Sequence, residues 1–107
     1  MSEDVRPVPF APGYFVSADG VVLSERRGVR RKMRPWVSNR SGHLRVTLRV
    51  EGSTVKEYVH RLVARVFIGP PPTAEHEVRH LDGKPVNNDK GNLTWGTHTE
   101  NMQDMVR

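Results

Sequence analysis

Between His43 and Phe67 the apolar period changes once, from two to about 3.6, and that change excludes both an all-helical and an all-strand chain. From His43 to Val50, Leu44, Val46, Leu48 and Val50 share one face, while His43, Arg45, Thr47 and Arg49 share the other. That is a half-buried strand with a basic outer face. Glu51-Gly52-Ser53 turns the chain, and Thr54 to Val59 returns antiparallel. Val59, Leu62, Val63, Val66 and Phe67 then recur at i, i+3, i+4, i+7 and i+8. They predict one apolar helix face over 60–67, ended by Gly69 and the stiff run Pro70-Pro71-Pro72.

Upstream, Tyr14 to Ser17 and Val21 to Leu23 flank Ala18-Asp19-Gly20, and an Asp-Gly pair supplies the positive φ of a tight hairpin. At 107 residues, with 36% hydrophobic side chains and no internal repeat, the chain is expected to form one small domain with a modest core. No apolar run approaches the ~18 residues of a membrane helix and the N-terminus lacks a secretory pattern, so a cytoplasmic location without membrane association is expected. The absence of cysteine removes disulfides, thiolate catalysis and sulfur-bound zinc, leaving His, Asp, Glu and Asn for any metal chemistry.

Charge is distributed unevenly. Residues 1–50 carry a net +6 and residues 51–107 a net -1. Within 24–49, Arg26, Arg27, Arg30, Arg31, Lys32, Arg34, Arg40, Arg45 and Arg49 face Glu25 alone. Guanidinium forks match phosphate oxygens better than ammonium groups do, so the stretch points to a polyanion, with a merely solubilising segment as the alternative. Trp36 lies beside it, placed either to stack on a nucleic acid or to fill the core.

The last 35 residues read strand, loop, strand, helix: Glu77 to Leu81, a polar loop from Asp82 to Gly91, Asn92 to Trp95 turned by Gly96, and a helix from about His98 to Arg107. Thr97 and Glu100 fit a capping box, and Met102, Met105 and Val106 make the helix's apolar stripe. A helix packed across a two-stranded ribbon lies roughly 10 Å from it, enough for one hydrated ion between His80 and Asn101. A neutral His80 can take a proton from water as that water attacks phosphorus. Asn101 offers a neutral hard oxygen suited to Mg²⁺, and Mn²⁺ can substitute.

Val59-His60-Arg61-Leu62-Val63-Ala64 with Phe67, His80-Leu81-Asp82-Gly83, Asn87-Asn88, Asn92-Leu93-Thr94-Trp95-Gly96-Thr97 and Glu100-Asn101 together resemble the HNH endonucleases of homing and bacteriophage type. The segments Tyr14 to Ser24 and Gly42 to Leu48 resemble the small DNA-binding motif that often precedes that core, so the likeness covers about residues 13–104. It implies an α+β fold: a basic β-region at 13–58, a linking helix at 59–68 and a ββα-metal finger at 77–107, all one nuclease domain. It also implies metal-dependent hydrolysis of double-stranded DNA, by a monomer that nicks or a homodimer that cuts both strands, in a bacterial host's cytoplasm if phage-encoded. His80 becomes the general base, Asn92 the middle residue that braces the loop and orients His80, and Asn101 the metal ligand. Relatives carry Asp or Asn just before the catalytic His, and here Arg79 stands there. A guanidinium cannot bind a cation, so either the ion has one protein ligand, or Asp82 helps, or Arg79 clamps a phosphate; one ligand plus a clamp is the favoured expectation.

Other histidines and asparagines have plainer readings. His60 is expected to be structural, and Asn87, Asn88 and Asn92 are expected to brace the loop rather than do chemistry. No structural zinc is expected, since His76, His98 and His80 lack a visible fourth ligand, while His98 is placed to touch a scissile phosphate. Trp95 is expected to pack in the ribbon. A catalytically silent DNA-binding or packaging protein with the same fold, and a nuclease acting on RNA, are the competing functions.

Overall fold

Nine short strands, the helix that follows the seventh of them and shorter helical turns lie among residues 3–38 and 42–99, the parts of the chain described by the structure, a computed structural model. Strands β1 (Val5–Pro7), β2 (Tyr14–Ser17), β3 (Val22–Arg26) and β4 (Val29–Lys32) form one antiparallel sheet in that order. A second contains β5 (Trp36–Ser38), β6 (His43–Val50) and β7 (Ser53–Tyr58), again in chain order. Two of the hairpins use the same device. Arg27-Gly28 (φ 51° and 77°) and Glu51-Gly52 (φ 52° and 81°) put both central residues in the left-handed region, the geometry that matches the twist of flanking strands.

The alternation expected along β6 is present: Val46 and Leu48 are buried, whereas Thr47 and Arg49 are exposed. The hairpin read at Asp19-Gly20 is β2–β3, tied by Ser17 N to Val21 O at 2.9 Å. The arginine-rich stretch is itself structured, since it contributes the end of β3, all of β4 and the start of the second sheet. Nothing in the composition of Val5–Pro7 announced β1, which pairs with β2 from Val5–Ser17 to Pro7–Phe15.

After β7 the chain enters α1 (Val59–Val63), which continues as a π-helical turn over Ala64–Ile68 closed by Gly69 N to Ala64 O at 2.9 Å. The wider turn departs from the uniform α-period read in the sequence. Val59, Leu62, Val63 and Ala64 are fully buried, while Val66 and Phe67 pack on the edge of the core. The final ribbon pairs β8 (Glu77–His80) with β9 (Leu93–Gly96), and Asn92 ends a 3-10 turn over Lys90–Asn92 rather than opening the strand. His98 and Thr99 are helical; the remaining predicted helix, with Glu100, Asn101 and its Met stripe, lies outside the described residues, as does Arg40.

One apolar cluster joins these parts. It draws Val8, Ala11, Val16 and Val22 from the first sheet region, Val46 and Leu48 from the second, Leu62 and Val63 from the helix, and Val78 and Leu93 from the ribbon. Polar ties reinforce it: Arg49 N donates to Tyr14 Oη at 2.9 Å, and Trp95 Nε1 donates to Gly69 O at 2.9 Å. Trp95 is thus a packing residue with its one donor satisfied, as expected. Among the described residues no helix is long and apolar enough to cross a membrane.

Candidate active site

The loop between β8 and β9 is ordered by two side chains that exchange hydrogen bonds across ten residues. Asp82 N donates to Asn92 Oδ1 at 3.0 Å, and Asn92 Nδ2 donates both to Asp82 Oδ1 at 2.9 Å and to Asn87 O at 2.8 Å. Lys84 N at 2.8 Å and Asn87 Nδ2 at 2.7 Å complete the donors around the Asp82 carboxylate. The Asn87 amide first, then the Lys84 N–H, hold that carboxyl down to about 2, against an ordinary 3.8. Asp89 starts the 3-10 turn by accepting from Gly91 N at 2.9 Å. The network fixes where β8 ends and the return strand begins.

His80 closes β8 opposite Leu93, and the alternation of that strand buries Val78 and His80 together while leaving Glu77 and Arg79 partly exposed. His80 is 5% exposed, with its Nε2 at 2.8 Å from Asn88 Oδ1. Two further imidazoles crowd it. The His43 and His60 ring centroids lie 5.3 and 5.2 Å from that of His80, and 4.8 Å from each other. Burial lowers the pKa of all three; for His60, 8% exposed, it falls to about 3, with the neighbouring His80, His43 and Arg61 adding to the effect. For His80 the Asn88 hydrogen bond and the Asp82 charge oppose desolvation without overcoming it. The ring is therefore neutral at pH 7, the form that accepts a proton.

A basic surface leads up to this cluster. Cross-strand pairing sets Trp36, Arg45 and Tyr58 in one row across β5, β6 and β7, with Ser38 and His43 in the next row but one strand position. The Arg45 guanidinium lies 5.4 Å from the Trp36 ring centroid and 4.7 Å from that of Tyr58, and Lys56 and Arg61 flank the same two rings. Trp36, 38% exposed, is thus a surface platform beneath cations rather than a core filler. On the first sheet, pairing divides the arginines. Arg26 and Arg31 share a face with Ser24 and Val29, forming with Arg27 an open groove of about 400 Å³. Arg30 is on the other side, at 2.9 Å from Glu25 Oε2 and over the Phe15 ring, so part of its charge is neutralised locally. Lys32 and Arg34 are exposed, and Arg49 shares a small hollow with Arg26.

Several sequence expectations take a different form. The direct hydrogen-bond partner of the His80 ring is Asn88, whose sequence position reads only as a loop brace; Asn92 braces the loop, its backbone O accepts from Leu81 N at 2.8 Å, and its side chain bonds Asp82 and Asn87 rather than His80. Both oxygens of Asp82 accept from donors of its own loop. His98 pairs with Glu77 Oε1 at 3.1 Å and His76 Nδ1 with Thr73 Oγ1 at 2.7 Å, so neither gathers with His80. Arg79 runs over Gly96, where a Cβ would fall 2.0 Å from its Cδ, and it works from the strand face opposite His80. Among the described residues no group of three or more His, Cys, Asp or Glu is placed to hold a metal ion, and Asn101 lies outside them. His43 and His60 were not anticipated as neighbours of His80. The outward register of His43 in β6 was the only local signal.

Comparison with known proteins bears on this arrangement. The sequence model of the HNH endonuclease family matches residues 57–103. Two uncharacterized HNH endonucleases of Acanthamoeba polyphaga mimivirus are similar: one is 32% identical over 93 residues, 87% of this chain and 27% of that protein. The other is 35% identical over 95 residues, 89% of this chain and 23% of that protein. The fold resembles a solved structure showing DNA binding and cleavage by the HNH homing endonuclease I-HmuI, with a TM-score of 0.80 and 27% identity. That likeness covers 96% of this chain and 57% of the other. The chain therefore spans about a quarter of the length of the viral relatives it matches.

Proposed function

We propose that the chain, whose residues 57–103 match the HNH endonuclease family model, hydrolyses phosphodiester bonds of double-stranded DNA with His80 as general base. The observation that carries the reading is a buried, neutral imidazole at the end of a strand, bonded by Asn88 of a loop that Asp82 and Asn92 brace. In the reaction, His80 takes a proton from water while the water oxygen bonds to phosphorus and the bond to the 3′-oxygen breaks. The family relationship implies 5′-phosphate and 3′-hydroxyl ends. Asn92 serves the step indirectly, by holding the loop that aims His80.

Relatives of this type use a divalent metal, and in this chain Asn101 is the residue we assign to hold it, with Mg²⁺ as the ion that suits its neutral oxygen. Such an ion would stabilise charge developing on the leaving oxygen. Arg79 is assigned to phosphate rather than metal, since its guanidinium only donates. The arginines of β3, β4 and β6 would follow the backbone, and the shared core supports treating residues 1–107 as one unit with DNA-holding and cutting parts. One His80 per chain means one strand cut per encounter, so a double-strand break needs a second copy or a second encounter.

Arg79 favours one rival, a DNA-binding accessory protein that keeps the fold without the reaction. Supercoiled plasmid incubated with Mg²⁺, with Mn²⁺ and with EDTA separates the two. Conversion to open circle in either metal and not in EDTA is the expected result. DNA binding with no metal-dependent nicking in any buffer rejects the nuclease reading, and an RNA duplex run alongside tests the nucleic acid acted on.

A further inference from the structure

We propose that Asn88 is a positioning residue for His80, fixing the Nε2–H tautomer so that Nδ1 is the basic nitrogen, and that the Ala18–Gly20 turn holds Asn88 in place. The chemical meaning rests on the nuclease reading above; the geometry does not. Asn88 is 4% exposed, and its Oδ1 lies 2.8 Å from Nε2 of His80. An amide oxygen only accepts, so a neutral imidazole facing it carries its proton on that nitrogen and its lone pair on the other.

Among the described residues, the other end of the same amide, Nδ2, is buried with no hydrogen-bond partner. A buried polar atom left unsatisfied opposes folding, and where a folded chain keeps one it calls for a reason other than stability. Among the described residues His80 is the one partner of the amide, so packing sets the orientation of its other end. Gly20, at φ +90°, supplies that packing: a Cβ there would sit 2.8 Å from Asn88 Cβ and 3.0 Å from Asn88 O. Two residues on, Lys90 N donates to Ala18 O at 2.7 Å, so a backbone hydrogen bond also joins the turn to the loop beside the contact. Ser17 Oγ, bonded to Asp19 and accepting from Val21 N at 2.9 Å, fixes the turn itself. A hairpin of the N-terminal sheet is thereby the support beneath the side chain that orients the candidate base.

Among the described residues His43, His60 and Asp82 are the titratable groups around His80, and they remain in every variant used as a test. Nitrogen-15 NMR of the full chain reads the His80 tautomer directly, and plasmid nicking reads kcat and KM. The parent is expected to show a protonated Nε2 and an unprotonated Nδ1 above pH 7. Asn88→Ala should mix the tautomers and lower kcat on the order of 10- to 100-fold with KM for DNA unchanged. Asn88→Asp keeps the shape and the acceptor, so the tautomer persists; its added charge moves the acid limb of the rate profile to higher pH. Gly20→Ala, which leaves Asn88 in the chain, should change the His80 signals in the same direction as Asn88→Ala. Parent-like tautomer and kcat in both Asn88→Ala and Gly20→Ala overturn the proposal. If the parent does not nick at all while the NMR changes occur, the positioning stands and the nuclease reading falls.

Discussion

At Asn92 one side chain accepts from Asp82 N and donates to two oxygens of the loop, which makes it the residue whose loss the loop tolerates least. Asn92→Ala leaves those groups without their partner, and urea unfolding should show a loss of about 2–3 kcal/mol. His60 makes a different prediction. Its folded pKa is about 3 against 6.5 in an open chain, so between those values the unfolded state binds the extra proton. Stability is therefore complete above pH 6.5 and declines as pH falls, by up to about 1.4 kcal/mol per pH unit for this one group. His60→Phe should flatten that decline in pH-dependent urea titrations. His80 was legible in the sequence because a strand, a polar loop and a return strand surround it in order. Asn88 and His43 were not. An Asn in a loop rich in Asn reads as turn chemistry, and the approach of His43 to His80 is a tertiary contact between residues far apart in the chain, which no local pattern encodes.

The hairpins show what alternation can and cannot reveal. Period-two patterning located β6 to the residue, because one of its faces is apolar. The β3–β4 hairpin was hidden because β4, Val-Arg-Arg-Lys, is exposed on both sides and carries no such pattern. Its arginines nevertheless divide by face, and Arg26, Arg27 and Arg31 form the set that is open to a phosphate backbone. Replacing all three with Ala should reduce the slope of log K against log salt for duplex DNA by about 2–3, at roughly 0.9 per phosphate contact. Fluorescence anisotropy over a salt series measures it. In the helix, Val66 and Phe67, read on one apolar face with Leu62 and Val63, pack against the edge of the core, on the π-turn that follows α1. Trp95→Phe removes the donor to Gly69 O where that turn ends, and thermal unfolding should register about 1 kcal/mol.

Across the whole molecule, 45 Å long and 26 Å in its other two dimensions, a small apolar cluster fastens two sheets, a helix and a ribbon. A core this size leaves little reserve: Leu62→Ala, at a site 1% exposed, should cost about 2–5 kcal/mol by urea unfolding. The charge asymmetry of the sequence has a spatial counterpart, since the cations lie on the two N-terminal sheets and the imidazole cluster lies where β6, α1 and the ribbon meet. These parts suit a chain that holds a polyanion on one surface and acts on it beside that surface. The rate of plasmid nicking by His80→Ala, under single turnover at pH 8 with Mg²⁺, tests this most directly. The account predicts a fall on the order of 100- to 10,000-fold with DNA affinity unchanged. Nicking by His80→Ala as fast as the parent's would contradict it.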